Sequence, residues 1–523
     1  MPARLSPRSS RFVCVQCRHA LTSTQRRRFL STSSTQPEIY DLVTVGGGPA
    51  GLALLAALKS SPLTSHLKTA LIETQDLSKL RAWTSPDDKY SNRASSLTPS
   101  SVSFLESTGS WNHVDQSRVQ AYDEMQVWDA ANDATLQFDW AAETKRYNAP
   151  PRTVATMTEN ANLTRGLLER IAEIGAETSL FSNTSVSSII QGVDDPEGLD
   201  LSTWPVLSLQ AKTPSGTPSS IAARLLVGAD GFNSPVRTFA GISSHGWDYD
   251  RHGVVASLTI QPPAEETSSQ DFDLFSDDPL PNRATAYQRF LPALGGPVAV
   301  LPLPNNHASL VWSTTPQHAS YLKSLPPAAQ VAMVNAALRL DQTDIAYMFT
   351  LARSAEADHL HQDELSWRLQ HTRPPRTGRP PPTITSIQEG SLASFPLRMR
   401  HASSLTAHRT ALIGDAAHTI HPLAGQGLNL GLADAAALAS TIAYAVDHGM
   451  DIGDGFALQR YNAERFGRGL LMAGGVDALN WMYQVGGSHQ GMLSAVVGRV
   501  RGLGMKMVGK VPGLREGIMR QAS

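Results

Sequence analysis

Apolar positions along this chain recur in two periods, and the switches between them predict its elements. Leu42, Val43 and Val45 form a short unbroken apolar run, as expected of a strand buried on both faces. Leu52, Leu54, Leu55 and Leu58 then return at helical spacing, and Thr69 to Ile72 is a second apolar run. The start of the chain therefore reads strand, helix, strand. Helical periodicity reappears from Asn160 to Ile174, with Leu163, Leu167, Leu168 and Ile171 on one face and Arg165, Glu169 and Arg170 on solvated ones. Val206 to Leu209 and Ala223 to Val227 read as strands, and Met125–Trp128 with Thr135–Phe138 reads as a hairpin around Asn132 and Asp133. From His245 to about Ser394 short strands dominate (Val254–Ile260, Ala286–Phe290, Val298–Pro302, Ser309–Ser313), broken by a helical stretch at Ala328–Leu340. A last strand, Thr410 to Ile413, precedes a long alanine-rich helix that begins near Gly427. The fold class is α/β.

The turn after the first strand carries chemistry. Gly46-Gly47-Gly48-Pro49-Ala50-Gly51 satisfies G-x-G-x-x-G. Gly46 permits a tight turn, Gly48 leaves room for a pyrophosphate, and Gly51 lets the helix pack closely on the sheet. Free N–H groups at the helix start favour the phosphates. The second strand ends in Glu73, about twenty residues past the last glycine, where an acid accepts hydrogen bonds from a ribose. This half-motif indicates a dinucleotide and does not distinguish FAD from NAD.

Composition narrows the rest. The chain has 523 residues, 41% of them hydrophobic, enough for two or three domains and a large core. A formal charge of −2 gives no reason to expect a nucleic-acid partner. No run reads as long enough to span a bilayer; the longest uncharged one near the C-terminal half is Ala435–Val446. Cys14 and Cys17 are the only cysteines. With no second pair to complete a zinc site they read as incidental thiols, and no metal is expected. Residues 1–36 resemble a mitochondrial transit peptide: Arg4, Arg8, Arg11, Arg18, Arg26, Arg27 and Arg28 all precede the first acid, Glu38, in a Ser/Thr-rich context. The acidic loop Asp271–Asp278 reads as solvated surface, and the proline-rich run Arg373–Pro382 as an exposed insertion.

Further candidates cluster in three places. Arg93, after the second strand, either reaches the pyrophosphate or flavin edge or is a surface residue at a helix entry. Asp230, at the end of the Ala223–Val227 strand, caps a turn or accepts from a ribose or amide. Asp415, after the Thr410–Ile413 strand, can bond a polyol hydroxyl, while Ala424, Gly425 and Gly427 let a planar ring approach the backbone. A helix starting there would favour a reduced, anionic flavin. His418 and His421 read as structural or substrate-facing. No general base stands out. Arg289 and His421 are the candidate substrate-side groups, each with an ordinary structural reading beside it.

These motifs, in this order, resemble the flavin-dependent aromatic hydroxylases of the para-hydroxybenzoate hydroxylase fold. Arg93–Pro99, Tyr287–Pro292, Gly296–Pro297, Leu301–Leu303, Leu310–Trp312 and Gly414–Ala433 resemble more specifically the ubiquinone biosynthesis monooxygenases, and the leader points to their mitochondrial ring-carbon-5 hydroxylases. The likeness runs from about residue 39 to 470 and is weakest from about 314 to 390. It implies a Rossmann-type FAD-binding domain (37–118, 153–244 and 396–446) and an interleaved β-sheet substrate domain (119–152 and 245–395, with a long insertion at about 314–390). A helical C-terminal region (447–523) completes the expected architecture. It implies FAD contacts from Gly46, Gly48, Gly51, Glu73, Arg93, Asp230 and Asp415, with Gly425 to Asn429 near the isoalloxazine.

The implied reaction is hydroxylation of a polyprenylated phenol with O2, through a flavin C4a-hydroperoxide. The implied electron donor is a ferredoxin with its reductase. Two other readings stand: an NADPH-dependent hydroxylase of a small aromatic acid, and a non-catalytic flavoprotein scaffold. A lipid-tailed substrate must be met at a membrane or in a complex with other ubiquinone-biosynthesis proteins. The segment Gly491–Ser523 sets six basic residues beside Met, Leu and Val against the single acid Glu516. It reads either as a contact with the matrix side of the inner membrane, peripheral in kind, or as a face packed on the protein's own body.

Overall fold

The computed structural model describes residues 36–485 except 133, 140–152, 176–177, 195–198, 213–218, 262–283, 353–358, 372–379 and 421–425. The leader, the acidic loop, most of the proline-rich run, His421, Ala424, Gly425 and the basic segment 491–523 lie outside the described residues.

The first sheet is built on parallel strands. Glu38–Val45 lies between Ser220–Gly228 and Thr69–Ile72; Thr410–Leu412 pairs with the far side of Ser220–Gly228, and Thr178–Phe181 with the far side of Thr69–Ile72. Layers cover this sheet, which is why its strands read as continuous apolar runs: Leu42, Val43, Leu225, Leu226 and Val227 are fully buried. Helix Pro49–Ser60 packs between helices Asn160–Ile174 and Gln426–Asp447. Its first turn starts on Pro49, where a missing N–H costs nothing. The stripe Leu163, Leu167, Leu168 and Ile171 is buried, as its spacing predicts. Each such side chain contributes about 1.5–3 kcal/mol on burial.

Among the described residues the second sheet has nine strands and contains all four strands expected between His245 and Ser394. The expected hairpin also forms, Glu124–Asp129 against Thr135–Asp139, and joins the sheet through a parallel pairing with Thr285–Leu291. Residues expected as part of a long insertion are integral to this layer. Helices Pro316–Ser324, Pro327–Arg339 and Gln342–Met348 close one core with Trp128, Tyr287, Leu310 and Trp312 from the sheet. On the opposite face, Ala286 and Leu303 meet Tyr122 and Met157 of a small three-stranded sheet.

One expectation is corrected by composition and then by packing. Helix Gln426–Asp447 is long and apolar enough to cross a membrane, because the apolar stretch extends N-terminally beyond Ala435. It is a core helix: Leu432, Ala435, Leu438 and Ile442 are almost wholly buried, and so is an acid, Asp434.

Candidate functional site

Four strand ends meet at one edge of the first sheet. Val45 is in register with Ile72 on one side and Gly228 on the other, and Gly228 with Leu412. Gly46, Glu73, Asp230 and Asp415 follow these ends by one to three residues. Segments far apart in sequence thus converge where open parallel sheets bind their ligands.

The glycines of the turn do different work. Gly46 has φ +111°, and a Cβ there would lie 2.2 Å from the Ala229 carbonyl oxygen. A Cβ on Gly51 would lie 2.2 Å from the Gly46 carbonyl oxygen. Both are needed to fold. Gly48 is not: a Cβ there would meet no atom within 4 Å and would project into open space before the helix N-terminus. Glu73 is buried against the same turn, its Oε2 accepting the Gly47 N–H at 2.6 Å and its Oε1 the Gln75 N–H at 2.8 Å. Each carboxylate oxygen has two acceptor sites, so Oε2 can take a ligand hydroxyl as well.

Asp230 is half satisfied. Its Oδ2 accepts the Val236 N–H at 3.1 Å and caps the short helix Pro235–Phe239. Its Oδ1 is buried with no hydrogen-bond partner among the described residues. Burial pushes the carboxyl above the usual carboxylate range. An unpartnered buried acceptor is costly and invites a ligand hydroxyl or amide. Asp415 sits in the turn Gly414–Ala416, whose Gly414 has φ +59°. Solvent reaches its side chain, while the protein crowded around it raises its carboxyl and His418 pulls the other way. A Cβ on Gly427, in the first turn of the long helix, would meet nothing within 4 Å.

Three candidates stand differently from the rest. Asn429 is committed to the protein: it donates to the Ser96 carbonyl at 2.8 Å and accepts from the Thr98 N–H and the Ser101 hydroxyl at 3.0 and 2.8 Å. It staples the Arg93 segment to the long helix. The Arg93 guanidinium is exposed and without a hydrogen bond or ion pair among the described residues. Arg289 is 1% exposed and donates to the Ala337 carbonyl at 2.9 Å. Strand alternation puts it with Tyr287 and Leu291 on the helix-covered face, opposite Ala286. It ties the sheet to its helices, and no substrate-side role is retained for it.

Sequence reasoning missed Asp434 and Arg465, and it named no partner for His418. All three side chains are buried in one ion-paired cluster behind the Asp415 turn. The available signal was an acid on an apolar helical stripe, Leu430, Asp434, Leu438 and Ile442.

A family model described as FAD binding domain matches residues 40–469. The chain is 36% identical to the mitochondrial ubiquinone biosynthesis monooxygenase COQ6 of Schizosaccharomyces pombe, over 94% of this chain and 93% of the relative. It is 31% identical to COQ6 of Homo sapiens, over 93% and 92%. The chain belongs to the COQ6 family. Membership makes it an FAD-dependent aromatic monooxygenase of ubiquinone biosynthesis, and such an enzyme consumes O2 and acts on a phenol. The fold agrees. Against p-nitrophenol 4-monooxygenase PnpA of Pseudomonas putida the TM-score is 0.60 at 17% identity, covering 93% of this chain and 99% of that one. Against PqsL of Pseudomonas aeruginosa, described as a probable FAD-dependent monooxygenase, it is 0.57 at 19% identity, covering 88% and 100%.

Proposed function

We propose that this COQ6-family enzyme hydroxylates ring carbon 5 of a polyprenylated phenol at the matrix side of the inner mitochondrial membrane, with electrons from a ferredoxin and its reductase. The relatives' names support the pathway and the mitochondrion. Ring position, donor and membrane side rest on the family resemblance carried by Arg93–Pro99, Tyr287–Pro292 and Gly414–Ala433.

The observation that carries the site is the convergence of Gly46, Glu73, Asp230 and Asp415 on one sheet edge. The residues fit FAD. The open space at Gly48 is the cradle a pyrophosphate needs, and the orphaned Asp230 Oδ1 is an acceptor awaiting a donor. In this reading the turn Gly46–Gly51 holds the pyrophosphate on its N–H groups, and Glu73 accepts a ribose hydroxyl. Asp415 accepts from the polyol chain. Gly425 and Gly427 leave the ring free to approach the backbone, and Arg93 supplies positive charge. Bound FAD, once reduced, supplies the O2-activating chemistry. The chain's task is to hold the ring in reach of the phenol and to exclude water.

Gly48→Val tests the cofactor site. The variant should fold, because a Cβ at Gly48 has room, and should lose FAD, because the side chain fills the pyrophosphate's place. Gly51→Val should instead fail to fold. Normal FAD content in Gly48→Val would defeat the assignment. For the donor, the purified enzyme should be bleached slowly by NADPH alone and quickly with the ferredoxin system. Fast bleaching by NADPH alone would favour direct use of the nucleotide.

A further inference from the structure

Behind the Asp415 turn lies a buried cluster that cofactor binding does not account for. Asp434 stands on the long helix with its side chain 1% exposed. Its Oδ2 accepts from His418 Nε2 at 2.6 Å and from the Gly414 N–H at 3.1 Å. Its Oδ1 accepts from Arg465 Nε at 2.8 Å. Arg465 belongs to helix Gly455–Val485, and Tyr461, one turn earlier, donates its hydroxyl to the Leu412 carbonyl at 2.7 Å. One carboxylate therefore joins the turn that carries Asp415, the helix that follows, and a second helix across from both. Gly414 and Asp434 are twenty positions apart, and their hydrogen bond ties the turn that carries Asp415 to the long helix.

The charge state of His418 follows from its neighbours. Burial alone would strip its proton, but the Asp434 carboxylate outweighs burial and holds the imidazole above its ordinary value. Asp434 answers in kind: burial would raise it, and His418 and Arg465 hold it below the usual carboxylate range. The other titratable groups around His418 are few. Asp415 on its own turn favours the charge, and Arg465 opposes it. His401, on strand Ala393–Ala402, has its ring 6.3 Å away and stays low through burial. Tyr461 is pushed well up and stays neutral.

We propose that His418 and Asp434 are positioning residues: protonated His418 holds Asp434 against the Gly414 N–H, and so fixes the Asp415 turn in the shape that retains FAD. The inference rests on the reading that Asp415 faces FAD. A group whose folded pKa is raised contributes fully below its unfolded value and loses that contribution as pH rises through the folded one. FAD should therefore leave faster on the alkaline side. The Asp434 contribution fails only in acid, outside this window.

The test is FAD release from the purified holoenzyme, read as recovery of free-flavin fluorescence from about pH 6 to about pH 10. Wild type should release FAD faster as pH rises. His418→Gln should release it about tenfold faster at neutral pH, the loss of one charged hydrogen bond, and its alkaline acceleration should be gone. Asp434→Asn should behave alike; if it does not fold, His418→Gln and the wild-type profile decide. A His418→Gln variant with wild-type release and wild-type pH dependence overturns the proposal, even if it melts earlier, since that is a structural role alone. Wild-type protein that holds no FAD would sink the cofactor reading instead.

Discussion

Two buried carboxylates hold the loops that carry Arg93 and Asp415, and they do so with different partners. Glu159 is fully buried; its Oε2 accepts from Arg118 Nε at 2.6 Å and its Oε1 from the Ser91 N–H at 2.5 Å. Arg118 in turn donates to the Pro86 and Lys89 carbonyls and lies over the Tyr90 ring at 4.4 Å. This pins the segment just before Arg93. Asp434 pins the turn of Asp415, but it shares its charge between Arg465 and His418. Burial works against the Arg118 charge, and Glu159 outweighs it and holds the guanidinium above its ordinary value. The Arg93 side is therefore fixed at every physiological pH, while the Asp415 side has one cation that can let go.

The largest effects should come from removing either carboxylate. Glu159→Gln and Asp434→Asn each leave a buried cation, and each should cost roughly 3–5 kcal/mol in urea unfolding near neutral pH. Their pH dependence should separate them. Wild-type stability from His418 is present below its unfolded pKa and lost as pH rises through the raised folded value. The Asp434→Asn deficit should shrink in alkali, and the Glu159→Gln deficit should not. A deficit at Asp434 that stays constant into alkali would mean that His418 is uncharged.

Replacing arginine by lysine sharpens the contrast at smaller scale. Arg118 uses its fork on a carboxylate and two carbonyls, whereas among the described residues Arg465 reaches beyond Asp434 only to the Leu430 carbonyl at 3.4 Å. Arg118→Lys should cost about 1–2 kcal/mol, and Arg465→Lys less than about 1 kcal/mol. Equal losses in thermal unfolding would contradict this difference in geometry.

Neither carboxylate's partner was legible in the sequence. The strands and helices from Tyr40 to Glu73 were, because local period and glycine spacing determine them. Six strands of the second sheet were too, through their apolar runs, whereas Thr383–Ile387, Ala393–Ala402 and His418–Thr419 were not. The ion pairs join residues 41, 16 and 31 positions apart, and no local pattern encodes such a meeting. Asp434 looked like one polar residue in an alanine-rich helix, and nothing local to His418 named its partner. Asn429 shows the same limit. Its place in the motif suggested the cofactor, while its side chain is occupied with Ser96, Thr98 and Ser101. Arg289 sits on the helix-covered face, and a single strand's residues do not reveal which face that is.

A last pair of changes, read in FAD affinity, distinguishes what the two anchored loops present to FAD. Asp415→Ala removes a carboxylate from the strand-end edge and should weaken FAD by about 1.5–3 kcal/mol, the range for a hydrogen bond to a charged group. Arg93→Ala should weaken it by about 1 kcal/mol or less, because a solvent-exposed guanidinium pairs in high dielectric and loses side-chain freedom on pairing. Arg93→Ala should leave urea unfolding of the FAD-free protein unchanged, since Arg93 has no partner to lose among the described residues. Raised salt should reduce the Arg93 contribution first, as screening acts on exposed charge. FAD titration of the two variants at low and high salt measures both terms. If Arg93→Ala costs as much as Asp415→Ala and the loss persists in salt, the Arg93 side chain turns inward on the cofactor, and the fixed loop is as much a part of the binding site as the titratable one.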